Sequence, residues 1–209
     1  MVFTRTRKES RLRNKSNNYF ILLGVVLLSL GLLIFILTFF PIIKEEAKYV
    51  LRNTNSTNSL QIKPIDTNFG IVIPKILANA KVIDNVDPYN SKDYQYALTK
   101  GVAHARGTAY PGNVGNIFIF AHSSADWFTA NQYNSVFYLV SKLEKGDMVE
   151  LYFMGKKYNY KIFEKKIVNP NAVEYLSSNN LDMSILTLMT CWPPGTNFKR
   201  LIIRAKINN

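Results

Sequence analysis

The stretch "TLMTCWPPGTNFKRLIIRAKI", residues 187–207, is two apolar runs divided by a Pro-Gly loop. "SILTLMTC" ends at Cys191 and "RLIIRAKI" opens at Arg200, the first rich in Leu and Thr and the second in Ile, a composition that suits a pleated, half-buried strand. A connection as short as "WPPGTNFK" favours antiparallel pairing, which brings the end of the first strand beside the start of the second. Cys191 and Arg200 then become neighbours. Cys191 is also the only cysteine in 209 residues. A lone cysteine at a strand end ordinarily packs as a small hydrophobe. Beside a guanidinium it has a second use, because a nearby cation favours the thiolate and supplies a donor for a developing oxyanion.

Working outward, the same texture extends back to Phe69. Short apolar runs ("FGIVIPKI", "NAKVIDNV", "GNIFIFAH", "GDMVELYFMG", "KKYNYKIFEKKIV") alternate with Gly, Pro, Asn and Asp. Such spacing predicts an all-β barrel or sandwich. Gly155, between "DMVELYFM" and "KYNYKIF", marks an antiparallel hairpin, and one or two helical turns are expected around "SADWFTANQYN".

The two histidines, His104 and His122, both fall in "GVAHARGTAYPGNVGNIFIFAHSSADW". His122 ends a strand run and can serve as proton donor to a leaving amine if the fold brings it to Cys191. Taken alone, each histidine reads as an ordinary packed or solvated side chain. One cysteine and two histidines do not make a four-ligand zinc site, and no glycine-rich phosphate loop is present, so neither metal nor cofactor is expected.

Residues 19–43, "YFILLGVVLLSLGLLIFILTFFPII", contain no charge. As a helix they would run about 37 Å against a hydrocarbon core of about 30 Å. They are apolar on every face, and "KEEAKYV" follows in place of the small residues of a cleavage site, which predicts an uncleaved single-pass span. Residues 1–18 form a basic arm (Arg5, Arg7, Lys8, Arg11, Arg13 and Lys15 against Glu9), whereas the charges just after the span nearly cancel. The Lys/Arg bias places the N-terminus in the cytoplasm and everything after residue 43 on the outer face of the cell membrane. Residues 44–68, polar and rich in Asn, Ser and Thr, read as a juxtamembrane stalk, and residues 69–209 as the outer domain.

The formal net charge of +12 raises the question of nucleic acid. Much of the excess sits on the short arm, where it is a topology signal and a contact for anionic lipid. The rest is spread thinly, without a basic helical stripe or a basic-aromatic pattern, and no nucleic-acid partner is expected.

These residues resemble the sortases, membrane-anchored cysteine transpeptidases of the bacterial surface. The family's Thr-Leu-x-Thr-Cys strand, followed by a loop and an Arg opening the last strand, is matched by Thr187, Leu188, Thr190, Cys191 and Arg200. "GTAYPGNVGNIFIFAH" is similar to the stretch that leads to the family's histidine, making His122 its counterpart and His104 the upstream histidine of the "AH…GTA" turn. "IPKI" at residues 73–76 resembles the family's early strands. The likeness covers about residues 69–207 and is nearest to class D/E-like members; it departs in Ala121, where glycine is frequent, and in the Ser123-Ser124 that follow the histidine.

The resemblance implies a closed sortase-type β-barrel with short helices behind a single transmembrane helix. It implies peptidase-like chemistry: Cys191 attacks the Thr-Gly carbonyl of a Leu-Pro-x-Thr-Gly-type sorting motif, Arg200 steadies the oxyanion, and His122 gives a proton to the departing amine. The partners implied are surface proteins with a C-terminal sorting signal and an amine acceptor, either a cell-wall peptide or a pilin lysine. Thr190 and His104 are expected to assist substrate binding. Two alternatives stay open on the residues alone: a hydrolytic cysteine peptidase, and a surface-anchored domain that binds without catalysis.

Overall fold

The computed structural model describes residues 19–36, 40, 47, 62–123, 136–176 and 182–208. The basic arm, most of the expected stalk and the helical turns expected around "SADWFTANQYN" lie outside the described residues. Helix α1, Tyr19–Ile36, has 18 residues and a mean hydropathy of 2.8, long and apolar enough to cross a membrane. Within it Ser29 Oγ donates to the Val26 carbonyl at 2.8 Å, the internal pairing that suits a hydroxyl in an apolar surround.

The second unit is a barrel. Its strands are β1 (Phe69–Ile73), β2 (Ala78–Val86), β3 (Val102–Ala105), β4 (Gly115–Phe120), β5 (Met148–Phe153), β6 (Lys156–Val168), β7 (Ser184–Trp192) and β8 (Lys199–Ile207). They close in the order β1-β2-β3-β4-β7-β8-β6-β5, with β5 pairing back onto β1. Closure leaves no edge open among the eight described strands. Of the two architectures the strand pattern allowed, the molecule is the barrel.

Period-two alternation fills its interior. Ile71 and Ile73 of β1, Ile117 and Ile119 of β4, Leu186 and Leu188 of β7 and Ile203 of β8 are all 0% exposed. Burying such a side chain stabilises by about 1.5–3 kcal/mol before conformational entropy is charged against it.

The hairpin read at Gly155 is present. Phe153 pairs with Lys156, and Met154 and Gly155 between them have φ of 50° and 77°. Two left-handed residues give a turn whose twist matches that of the strands. The strain of a left-handed methionine, about 1–2 kcal/mol, is offset by backbone bonds from Met154 N to the Asn68 carbonyl at 2.9 Å and from Gly155 N to Thr67 at 3.0 Å. Residues 63–68, expected as the end of a stalk, are thus bound to the barrel, also through Asn79 Nδ2 to the Lys63 carbonyl at 2.8 Å.

Two pairings are parallel, β2 with β3 and β4 with β7. Parallel neighbours need a crossover, and β2 reaches β3 through helix α2, Ser91–Leu98. Asn90 caps it, its Oδ1 accepting from Lys92 N at 3.1 Å and its Nδ2 donating to Asp93 Oδ2 at 2.8 Å. Ala97 and Leu98 bury its inner face. Gly101 then lets the chain press onto β2, since a Cβ there would strike the Lys81 carbonyl.

Candidate functional site

The register of three strands assembles the site. In the β7–β8 ladder Cys191 lies directly opposite Arg200. On the other side of β7, β4 runs parallel with Phe120 beside Met189. The ladder continues past the strand end through Ala121 N to the Met189 carbonyl at 3.2 Å. Two residues past Phe120 and two past Met189 are His122 and Cys191, so the parallel register carries the histidine to the flank of the cysteine. Strand alternation puts both on the face opposite the barrel interior.

His122, Cys191 and Arg200 line one cleft of about 690 Å³, within the usual range for ligand pockets. Phe120 and Met189 contribute apolar surface, Tyr94, Gln95 and Leu98 of α2 form one wall, and Asn197 and Phe198 of the β7–β8 loop form another. Phe198 is 70% exposed. Cys191 is a free thiol, half-buried.

Local bonds fix each member. Arg200 Nη1 donates to the carbonyls of Asn197 at 3.1 Å and Lys199 at 3.0 Å, which hold the guanidinium against its own loop. The loop turns at Gly195, φ 80°, with Thr196 N and Oγ1 both donating to the Pro193 carbonyl, at 3.0 and 2.8 Å. Thr190 is 3% exposed and its Oγ1 donates to the Ala121 carbonyl at 2.9 Å. That bond ties the residue before the cysteine to the residue before the histidine.

His104 is set elsewhere. It is 1% exposed on β3 and does not line the cleft. Nδ1 meets Asp84 Oδ1 at 3.1 Å, and Nε2 meets the Ala109 carbonyl at 3.0 Å and Thr108 Oγ1 at 2.9 Å. Its ring packs on Tyr110, centroids 4.7 Å apart, and on Phe69 at 5.4 Å. His104, expected to assist substrate binding, is thus enclosed in a polar and aromatic network. Burial and the hydrogen bond to Asp84 both push the Tyr110 phenol above its ordinary value.

Two residues outside the expected set shape the region. Thr187 Oγ1 donates to Asn116 Oδ1 at 2.7 Å, and Asn116 Nδ2 donates to the Tyr175 carbonyl at 2.7 Å. This chain binds β7, β4 and the β6–β7 segment. No single run of sequence signals it, because its three members are far apart in the chain. Among the described residues no three His, Cys, Asp or Glu side chains gather as a metal site.

Comparison with known proteins converges on one family. A model of the Sortase domain matches residues 71–208. Sortase D of Bacillus subtilis (strain 168) is 29% identical over 137 residues, which are 64% of this chain and 60% of that protein. The chain therefore spans less than two thirds of this relative's length. Among solved structures, a Clostridium perfringens sortase D5 transpeptidase is 26% identical with a TM-score of 0.55, over 79% of this chain and 94% of that one. Sortase C-1 from Actinomyces oris shares the fold, with a TM-score of 0.58 at 24% identity over 80% of this chain and 99% of that one.

Proposed function

Because this chain belongs to the sortase family, we propose that it is a cysteine transpeptidase that cuts a Leu-Pro-x-Thr-Gly-type motif between Thr and Gly. The observation that carries this reading is the meeting of Cys191, Arg200 and His122 from three neighbouring strands along one cleft.

In this scheme the Cys191 thiolate attacks the threonine carbonyl carbon. The oxyanion that forms is met by Arg200, a fixed cationic donor in a partly desolvated cleft. The C–N bond then breaks, and imidazolium His122 passes its proton to the departing glycine amine. A thioester on Cys191 remains. An incoming amine attacks it, loses a proton to His122 and forms a new amide as the thiolate leaves. Splitting one amide exchange into two thioester steps is what a covalent nucleophile accomplishes.

The donor substrates in this proposal are surface proteins with a C-terminal sorting signal. The acceptor is the amine of a cell-wall peptide or a pilin lysine. Helix α1 anchors the enzyme in the lipid its substrates cross, with the basic arm cytoplasmic and the barrel outside. Class D/E-like placement is supported by the likeness to sortase D. Incubating the full chain with a Leu-Pro-x-Thr-Gly peptide and triglycine, then weighing the peptide products, tests the scheme. A triglycine-joined product supports transpeptidation; free acid alone, with triglycine present, makes the protein a hydrolytic cysteine peptidase; no cleavage makes it a binding domain.

A further inference from the structure

Three aliphatic hydroxyls line the cleft, on Ser123, Thr190 and Thr196. Two of them are committed within the fold: Thr190 Oγ1 donates to the Ala121 carbonyl and Thr196 Oγ1 to the Pro193 carbonyl. Ser123 is as buried as Thr190, each 3% exposed, yet its hydroxyl has no hydrogen-bond partner among the described residues. Fully enclosed side-chain oxygens and nitrogens among these residues all have one. The Ser123 hydroxyl is therefore not fully enclosed, and the cleft that Ser123 lines is the opening it has.

A serine that served packing alone would close its hydroxyl onto a neighbouring carbonyl, as Thr190 does. Left open in a cleft, the group is satisfied by solvent until a ligand displaces that water. It is then unpaired, at a loss of affinity, unless the ligand brings a partner. A peptide can bring one at any point along its length, because every residue carries a backbone C=O and every residue but proline an N–H.

We infer that the Ser123 hydroxyl binds the donor peptide, forming a hydrogen bond with a backbone group of the sorting motif when the motif fills the cleft. The inference rests on the transpeptidase reading of the Cys191 site. Ser123 directly follows His122 in the chain, so the bond anchors the peptide next to the proposed proton donor. Ser123 is in this sense a positioning residue for the substrate.

The test uses the full-length Cys191→Ala chain in detergent, so that binding is read without turnover, and titrates a Leu-Pro-x-Thr-Gly peptide by NMR with Ser123 present and with Ser123→Ala added. The alanine chain should bind the peptide about fivefold more weakly, the scale of one hydrogen bond. Its melting temperature should not fall, because the hydroxyl it loses bonds no protein group in the free chain. Thr190→Ala, which removes a committed hydroxyl, should lower the melting temperature and so calibrates that readout. Equal affinities with and without the Ser123 hydroxyl, or a melting temperature lowered as far as in Thr190→Ala, overturns the inference. Acylation of Cys191 by the same peptide is measured separately in the native chain: acylation with no effect of Ser123→Ala on binding sinks the Ser123 inference alone, whereas a peptide that neither binds nor acylates sinks the transpeptidase reading with it.

Discussion

Cys191 and Arg200 form a directly opposed pair in the β7–β8 ladder, and the guanidinium is held in place by the carbonyls of Asn197 and Lys199. A donor fixed before the reaction begins costs no reorganisation when charge develops on the substrate. Arg200→Ala should lower kcat by about 10²–10³-fold with a small change in KM. Arg200→Lys should recover only part of the loss, since a lysine ammonium lacks the planar fork. Steady-state kinetics on a sorting-motif peptide separates the two parameters.

Thr190 is expected to act through its neighbours. Thr190→Val keeps the shape and removes the bond to the Ala121 carbonyl, at a cost of about 1–3 kcal/mol where a buried acceptor loses its donor. The expected result is a lower melting temperature and a kcat reduced more than KM, with Thr190→Ser restoring both.

His104 makes hydrogen bonds at both ring nitrogens while 1% exposed. His104→Ala should destabilise the barrel by about 2 kcal/mol or more, as breaking a buried network does. KM should stay near the native value. Denaturant unfolding alongside kinetics checks this, and a raised KM with unchanged stability would return His104 to the substrate.

The pH response of stability has two limbs. Burial, with a smaller push from Tyr158, holds the Tyr160 phenol above its ordinary 10.0 despite the opposing Ser184 hydrogen bond. The neutral phenol is therefore the form the fold favours. Its stabilisation is present below pH 10.0 and is lost as pH rises through the higher folded-state value. Glu144, hydrogen-bonded to Lys165, is held below its ordinary 4.5, so its contribution is present above that value and fades as pH falls. Tyr160→Phe should flatten the alkaline limb, and Glu144→Gln a small part of the acid limb, in denaturation series across pH.

What the sequence disclosed depended on how local the signal was. β6 coincides with the run "KKYNYKIFEKKIV", because thirteen residues rich in Tyr, Ile, Phe and Val state a strand plainly. β3 carries no such signal: "VAHA" is four residues, two of them alanine. Helix α2 is not among the expected elements, although Asn90 with Asp93 and the apolar spacing of Tyr94, Ala97 and Leu98 carry a capping and helical signal. The pairing of Cys191 with Arg200 is legible from the short loop between their two strand runs. The approach of His122 is not, because it rests on parallel pairing between β4 and β7, strands far apart in the chain; family resemblance supplied it. His104, beside the "GTA" turn, gave no sign in sequence that it would be enclosed by Asp84, Thr108 and Tyr110.

The central claim is that Cys191 is the nucleophile of an acyl transfer. The most direct measurement is the intact mass of the full chain after brief exposure to a Leu-Pro-x-Thr-Gly peptide, with and without an amine. The account predicts an adduct equal to the peptide less its glycine end, absent from Cys191→Ala and discharged when the amine is added. A chain whose mass never changes, while Cys191 remains open to a small alkylating reagent, would contradict it.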